Sequence, residues 1–317
     1  MNKYESLKLC FILFLLLDGS AIKAEQKQII TSFIMYNDVK ISIDKPANFG
    51  PSKKTIIILY ALPNGNSTEQ TMGKKMQTGD DWHFDIQHIK AQTLFIRQEL
   101  KKRNVIVAYL ENNFKSWPLW KTKHPDYKTE TTRIVDTINF LISARHKSIY
   151  LSGHSGGGRF IFSYMDAVNK LPKLVQNISF LDSDYGYDSS YLVKLVSWLN
   201  TNKKAKLTVF AYNDSIALLN GKRFVSDTGG TWYRSHVMMQ HLSKYFQFRK
   251  TEDDSLINYS SVNKQIHFYF KTNPERKILH TQQVELNGFI HAILVGTKYE
   301  SKKYYYFDKR AYNEFIE

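Results

Sequence analysis

Residues 147–164 read KSIYLSGHSGGGRFIFSY, and this stretch decides the fold. The apolar run at residues 149–151 is typical of a strand. The apolar side chains within residues 160–164 recur at helical spacing. Between the two segments, glycines flank a single serine, Ser155. The sequence therefore predicts a strand, a sharp turn with Ser155 at its apex, and a helix.

The glycine spacing has a steric reason. A serine at the tip of such a turn has a strained backbone, and side chains two residues away on either side would collide as the helix folds back. Gly153 and Gly157 remove both collisions. The hydroxyl then lies near free N–H groups at the start of a helix, which favour developing negative charge. A turn that only redirects the chain or cradles a phosphate is the alternative, but GxxxxGK[ST] and an acid-supported GxGxxG are missing.

Residues 153–157, GHSGG, resemble the nucleophile elbow of the α/β-hydrolase superfamily, with Ser155 at the position of the nucleophile. The resemblance implies a serine hydrolase whose triad follows the chain order Ser, Asp or Glu, His. It also implies an oxyanion hole built from the backbone N–H of Gly156 and a second donor in residues 64–67, where we expect Asn66. This loop lacks the HGGG form that some members of the superfamily have.

The resemblance places the triad acid and base after strands, and the chain offers alternatives for each. Asp214 comes two residues after the apolar run LTVFAY and is the expected acid, whereas Asp182 and Asp184 in FLDSDYGY follow the preceding strand. His291 follows a glycine at the mouth of the last predicted helix and is the expected base, with His280 as the alternative. An aspartate after a strand is, however, often only a turn residue.

Strand-like and helix-like segments alternate along most of the chain. Buried strands are predicted at residues 55–60, 105–110, 177–181, 206–212 and 265–270, after an N-terminal hairpin at 29–35 and 39–43. Helical patterns lie between them, for example at residues 83–102. Such alternation predicts parallel pairing through right-handed crossovers. We expect an α/β fold, with a doubly wound, mostly parallel central sheet and helices on both faces. The site of such sheets lies at the carboxyl ends of the strands, where Ser155 falls.

The N-terminus has the features of a secretory signal peptide. Lys3 and Lys8 precede an apolar run at residues 9–17, and small residues suited to cleavage follow. We therefore predict a signal peptide at 1–24 and a hydrolase-like domain at 25–317, secreted or periplasmic. The apolar run is too short to span a bilayer, so we expect no stable membrane insertion. The sole cysteine, Cys10, lies in this segment, which excludes a cysteine nucleophile and a disulfide framework in the mature chain.

Composition limits the partners. The formal net charge is +15, but the basic residues are spread along the chain without a basic cluster, so we expect no nucleic-acid partner. His83 and His88 lack the spacing of HExxH, and we expect no metal and no cofactor. The oligomeric state is left open.

The sequence thus favours an exported serine hydrolase that cleaves carboxylic esters through an acyl-enzyme, with no cofactor. Only a short segment separates Asp184 from Lys206, where the superfamily often inserts a cap, so we expect an open site for polymer-borne or bulky esters. The expected partner is thus a small-molecule or polymer-borne ester. A serine peptidase or amidase of the same fold is one alternative, because the triad chemistry does not choose between esters and amides. A non-catalytic binding protein that retains the fold is the other.

Overall fold

The computed structural model describes residues 28–317, so the predicted signal peptide at 1–24 lies outside the described residues. The strands, in chain order, are β1 (Gln28–Met35), β2 (Val39–Pro46), β3 (Lys54–Ala61), β4 (Arg103–Asn112), β5 (His146–His154), β6 (Val175–Leu181), β7 (Lys206–Tyr212), β8 (Leu218–Leu219), β9 (Lys222–Arg223), β10 (Phe248–Glu252), β11 (Leu256–Ser261) and β12 (Ile266–Lys271). The α-helices are α1 (Thr68–Met72), α2 (Ile89–Glu99), α3 (Trp117–Lys123), α4 (Tyr127–Leu141), α5 (Gly158–Ala167), α6 (Leu192–Thr201), α7 (Thr231–Ser243), α8 (Gln282–Glu285) and α9 (Gly288–Leu294).

Ten of these strands form one sheet in the order β1-β2-β4-β3-β5-β6-β7-β12-β11-β10. The middle of the sheet, from β4 to β12, is parallel throughout. Antiparallel strands complete both edges, β1 and β2 on one side and β11 and β10 on the other. β3, with the sequence KTIIILYA, is buried from its second residue onward, as expected of a strand that is covered on both faces.

Helices cover both faces of the sheet. One core packs α3 to α7 against one face and includes Trp117, Phe160 and Trp198. The other core packs α2, α8 and α9 against the opposite face and includes Phe95 and Phe289. The doubly wound, mostly parallel α/β architecture is therefore confirmed. Within the described part of the chain, the helices are too short or too polar to cross a bilayer.

Two parts of the chain differ from the sequence-based expectation. The helix expected over residues 83–102 begins only at Ile89, because His88 has φ 45° in the left-handed region and a 3-10 turn at Trp82–Asp85 comes before it. The strands β10 and β11 were not expected. β10 reads FRKTE and is largely exposed at the sheet edge, where charged residues protect against unwanted pairing and hide the strand pattern.

A buried ion pair ties the antiparallel edge of the sheet to helix α2. Arg97 in α2 donates from Nη2 to Oδ1 of Asp44 in β2 at 2.9 Å and from Nε to the carbonyl of Val105 at 2.9 Å. Asp44 is fully buried, and this burial raises the pKa of its carboxyl although Arg97 counteracts the shift. Arg97 thus compensates a charge that water cannot reach.

We predict that Arg97→Met destabilises the protein by about 3–5 kcal/mol, because the Asp44 carboxylate is left buried without a cation. The measurement is the free energy of unfolding from urea titration. The double variant Asp44→Asn/Arg97→Met removes both charges and should recover about 1 kcal/mol or more of this loss. A loss below about 1 kcal/mol in the single variant would contradict the assignment of this pair as a buried, coupled one.

Candidate active site

Ser155 lies in the sharp turn between β5 and α5. It opens the 3-10 turn Ser155–Gly157, and its φ of 53° lies in the left-handed region that residues other than glycine rarely adopt. The residue before it, His154, is still extended, and Gly157 is already helical. The chain therefore reverses at one strained residue, which is the geometry expected of a nucleophile elbow.

Close backbone contacts explain the glycines around Ser155. A Cβ atom on Gly157 would lie 2.1 Å from the carbonyl oxygen of Ala61, the last residue of β3. A Cβ atom on Gly153 would lie 2.8 Å from the backbone carbonyl carbon of Gly157, which is the collision that the spacing predicts. Only residues without a side chain allow the turn to pack this tightly against the sheet.

Ser155 lines a pocket of about 260 Å³ at the carboxyl edge of the sheet. Its other walls include Asn64, Gly156, Arg159 and Tyr185. The Ser155 side chain is half-buried, so it is open to a ligand that enters the pocket.

The loop after β3 approaches the pocket through Asn64 and not through the expected Asn66. A Cβ atom on Gly156 would lie 2.0 Å from Oδ1 of Asn64, so the Asn64 side chain lies directly over Gly156. Asn66 is only 5% exposed, and its Nδ2 has no hydrogen-bond partner among residues 28–317. Gly65 between them has φ 82°, and this turn separates the two asparagines. Asn64 thus lines the pocket, whereas Asn66, the residue expected from the sequence, is not among its walls.

The structure pairs His280 with Asp182. Nδ1 of His280 is hydrogen-bonded to Oδ2 of Asp182, which is fully buried immediately after β6. The other carboxylate oxygen of Asp182 accepts a hydrogen bond from the hydroxyl of Thr231. Because a carboxylate only accepts, it favours the tautomer with hydrogen on Nδ1 and leaves Nε2 of His280 as a proton acceptor.

His280 is also tied to the elbow. His154, the residue before Ser155, donates from Nε2 to the carbonyl oxygen of His280 at 3.1 Å, and the two rings lie 4.5 Å apart between centroids. Burial and the neighbouring His280 hold the pKa of His154 well below its usual value, so the ring of His154 stays neutral. The loop that carries His280 is thus bonded to the end of the strand that carries Ser155.

The expected base, His291, does not occupy this position. It lies in α9, is 3% exposed, and its Nδ1 bonds to the hydroxyl of Tyr304 at 3.1 Å. Its ring packs against Tyr269 and Tyr306 over the face of the sheet. Burial, with smaller electrostatic contributions from His267 and Lys206, lowers the pKa of His291 to about 3. The Nε2 atom has no partner among residues 28–317, so no described carboxylate orients this ring.

The expected acid, Asp214, follows β7 as predicted, but its side chain caps the start of helix α7. Its Oδ2 accepts the backbone N–H of Thr231, the first residue of α7, at 2.8 Å. Free N–H groups at a helix start favour a carboxylate, so they hold Asp214 in place. Burial and the nearby Asp182 raise its pKa to about 6. The expected pairing of Asp214 with His291 is therefore not present.

Asp184, the remaining alternative acid, is fully buried and accepts a hydrogen bond from the hydroxyl of Ser235 at 2.9 Å. Burial raises the pKa of its carboxyl well above the usual value, and Asp182 adds to the shift. Of the three aspartates that the sequence offered, Asp182 is the one bonded to a histidine in the described chain. Asp184 instead joins the loop after β6 to α7.

Together these contacts place a hydroxyl, an imidazole and a buried carboxylate at one edge of the sheet. Ser155 lies at the start of α5, where free N–H groups can stabilise an oxyanion. His280 has one nitrogen held by Asp182 and the other available for a proton. Among residues 28–317, no group of three or more His, Cys, Asp or Glu side chains is placed to bind a metal ion. The arrangement is suited to nucleophilic catalysis by serine.

Comparison with known proteins shows the fold. No family model and no curated protein matches the chain at the sequence level. A feruloyl esterase module from Clostridium thermocellum has a TM-score of 0.51 at 11% identity over 88% of this chain and 90% of that one. A protein named FAE has a TM-score of 0.50 at 10% identity, covering 90% and 91% of the two chains. A thermostable esterase reaches 0.47 at 13% identity over 84% of this chain, which spans 61% of its length. The likenesses to the feruloyl esterase module and to FAE show that this chain shares their α/β fold.

The raised pKa of Asp214 predicts a pH dependence of stability. Between pH 3.8 and about 6 the folded protein holds a proton that the unfolded chain has lost, so the stability contribution of this group falls as pH rises through this window. Asp214→Asn cannot ionise but still accepts the N–H of Thr231. We expect its stability relative to wild type to increase by about 1–3 kcal/mol from pH 4 to pH 7.

The measurement is urea unfolding of both proteins at several pH values. The exposed variant Asp188→Asn controls for the loss of one negative charge. A stability difference between Asp214→Asn and wild type that is constant from pH 4 to pH 7 would contradict the assignment of Asp214 as a buried, reluctantly ionised cap.

Proposed function

We propose that this protein is an exported serine hydrolase that cleaves carboxylic esters through an acyl-enzyme, with Ser155, His280 and Asp182 as its triad. The observation that carries the proposal is the bond between His280 and Asp182 beside the strained turn at Ser155. Asp182 is one of the alternative acids from the sequence, and His280 is the alternative base. Export rests on the sequence of residues 1–24.

In this mechanism Nε2 of His280 takes the proton from the Ser155 hydroxyl as its oxygen attacks the ester carbonyl. The backbone N–H of Gly156 donates to the oxyanion that forms. His280 then gives its proton to the leaving alcohol, and the acyl group remains on Ser155. Water, deprotonated by His280, attacks the acyl-enzyme and releases the acid, and the proton returns to Ser155. Asp182 holds the imidazole in the correct tautomer and stabilises its positive charge throughout.

The surroundings of Asp182 suit this role. A buried carboxylate must have its oxygens hydrogen-bonded to remain charged, and Asp182 has the His280 ring on one oxygen and the Thr231 hydroxyl on the other. Thr231 also lies 3.4 Å from Oδ2 of Asp214, so one hydroxyl stands between two acids. Asp182 is fixed from two directions and can in turn fix the ring of His280.

Ester cleavage is favoured over amide cleavage by two observations. Solved structures with the same fold, such as the feruloyl esterase module, are named as esterases. The pocket is also small, at about 260 Å³, which suits a short acyl group better than a polypeptide.

The strained turn favours an enzyme over a non-catalytic binding protein. A serine in a strained conformation beside a hydrogen-bonded imidazole and carboxylate costs stability, and a binding protein would not need it.

We predict that Ser155→Ala lowers kcat/KM for 4-nitrophenyl acetate by at least about 10⁴-fold, because the variant lacks the oxygen that attacks the ester carbonyl. Release of 4-nitrophenol, followed by absorbance, is the measurement, and thermal unfolding shows that the variant is folded. A variant that keeps more than a tenth of the activity would rule out Ser155 as the nucleophile. Faster hydrolysis of 4-nitroacetanilide than of the ester would favour an amidase.

Matched replacements distinguish the two possible bases. His280→Phe should lower kcat/KM by at least about 10³-fold, since the serine then has no imidazole to accept its proton. His291→Phe keeps an aromatic ring in the core between the tyrosines and should lower kcat/KM less than about tenfold. The reverse ranking would return the role of base to His291.

The same comparison applies to the acids. Asp182→Asn should lower kcat by about 10⁴-fold, because an amide can hold the wrong tautomer of His280. Asp214→Asn, which preserves the cap on α7, should lower it less than about tenfold. Equal losses in the two variants would show that the acids act as one unit. A loss confined to Asp214→Asn would make Asp214 the triad acid.

A further inference from the structure

Arg159 is a cation in the Ser155 pocket that has no role in the proposed reaction of Ser155, His280 and Asp182. It lines the same pocket, four residues after the serine, and is half-buried. Its guanidinium lies against Gly186, where a Cβ atom would be 2.8 Å from Nη1. Gly186 is itself a wall of the pocket. The charged end of Arg159 thus lies at the wall of the pocket.

In the described part of the chain, the Arg159 guanidinium lacks a hydrogen-bond or ion-pair partner. Among residues 28–317, none of the ion pairs formed by arginine or lysine includes Arg159. Within this range the Arg159 side chain also donates no hydrogen bond, and only its backbone carbonyl accepts one. A half-buried guanidinium is usually paired with a carboxylate or a carbonyl, as Arg97 is. Five donors of Arg159 are therefore free for a ligand.

Arg159 also lies at the start of a helix, where a cation without a partner is unfavourable. Arg159 is the second residue of α5, a helix of 10 residues. The start of a helix carries partial positive charge, so it favours acids and disfavours cations. The first turn of α5 contains no acidic residue. An anion bound here would offset the unfavourable placement of Arg159 and would meet both the guanidinium and the positive end of the helix.

We propose that the ester cleaved at Ser155 carries a carboxylate group that binds to Arg159. This inference rests on the proposed function and names its substrate class. Arginine binds a carboxylate through two parallel hydrogen bonds, which fixes the direction of the substrate as well as its position. The pocket is large enough for a short acid and too small for a long acyl chain. The half-esters of short dicarboxylic acids have the required chemistry.

The experiment compares two substrates that differ in one charge. Monomethyl glutarate carries a carboxylate, and methyl glutaramate replaces it with a neutral amide of the same shape. Methanol release gives kcat/KM for each. Wild type should prefer the charged ester by roughly ten- to hundredfold, the range expected of a charge-assisted bidentate pair. Addition of salt should reduce this preference, because a partly exposed pair is screened.

Variants of Arg159 assign the preference to this side chain. Arg159→Met keeps the length of the side chain and should reduce the substrate ratio to about 1, mainly through a lower kcat/KM for the charged ester. Arg159→Lys should restore part of the ratio. Arg145→Met removes one positive charge just before β5, at the opposite end of that strand from Ser155, and should leave the ratio unchanged.

Two results would overturn the inference. One is a wild-type protein that cleaves both esters equally well. The other is an Arg159→Met variant that loses activity on both substrates by the same factor, as expected if Arg159 only supports the fold. If wild type cleaves neither ester, its activity on 4-nitrophenyl acetate decides whether the proposed function fails, and calorimetry with glutarate tests the anion site separately. Binding by wild type but not by Arg159→Met would support the anion site, and no binding by wild type would overturn it.

Discussion

The close approach of the Ser155 turn to the central sheet is the constraint on which the rest of the site depends. Ser155 has φ 53°, and such a conformation persists only where its surroundings enforce it. A Cβ atom on Gly157 would collide with the carbonyl oxygen of Ala61 in β3. A Cβ atom on Gly158 would collide with the carbonyl oxygen of Ser183, which follows β6. Two neighbouring strands thus hold the first turn of α5. The hydroxyl is presented at the edge of the sheet because the backbone has no room to relax.

The buried acids at the site bind different partners. Asp182 and Asp214 end neighbouring strands, and the Thr231 hydroxyl lies between them. The N–H groups at the start of α7 hold Asp214, which leaves Asp182 for His280. Burial raises the pKa values of Asp184 and Asp214, and the nearby Asp182 adds to both shifts. The helix start therefore also determines which acid reaches the histidine.

Local sequence pattern predicted much of this structure, and its failures have physical reasons. The buried strands and the glycine-flanked serine were predictable, since apolar runs and steric limits are local. The choice of acid was not, because the capping partner of Asp214 lies in α7, 17 residues away along the chain. His291 carried an overlooked signal. Every other residue of α9 is apolar or glycine, and a helix that is apolar all round is buried. His280 instead follows a polar stretch typical of an exposed loop.

The most direct test of a nucleophilic Ser155 is covalent labelling with a fluorophosphonate, followed by intact mass measurement and peptide mapping. We expect one adduct per chain, located on Ser155. Labelling should be strongly slowed when His280 is replaced and unaffected when His291 is replaced by phenylalanine. A folded protein that forms no adduct, or one labelled at another residue, would contradict this expectation.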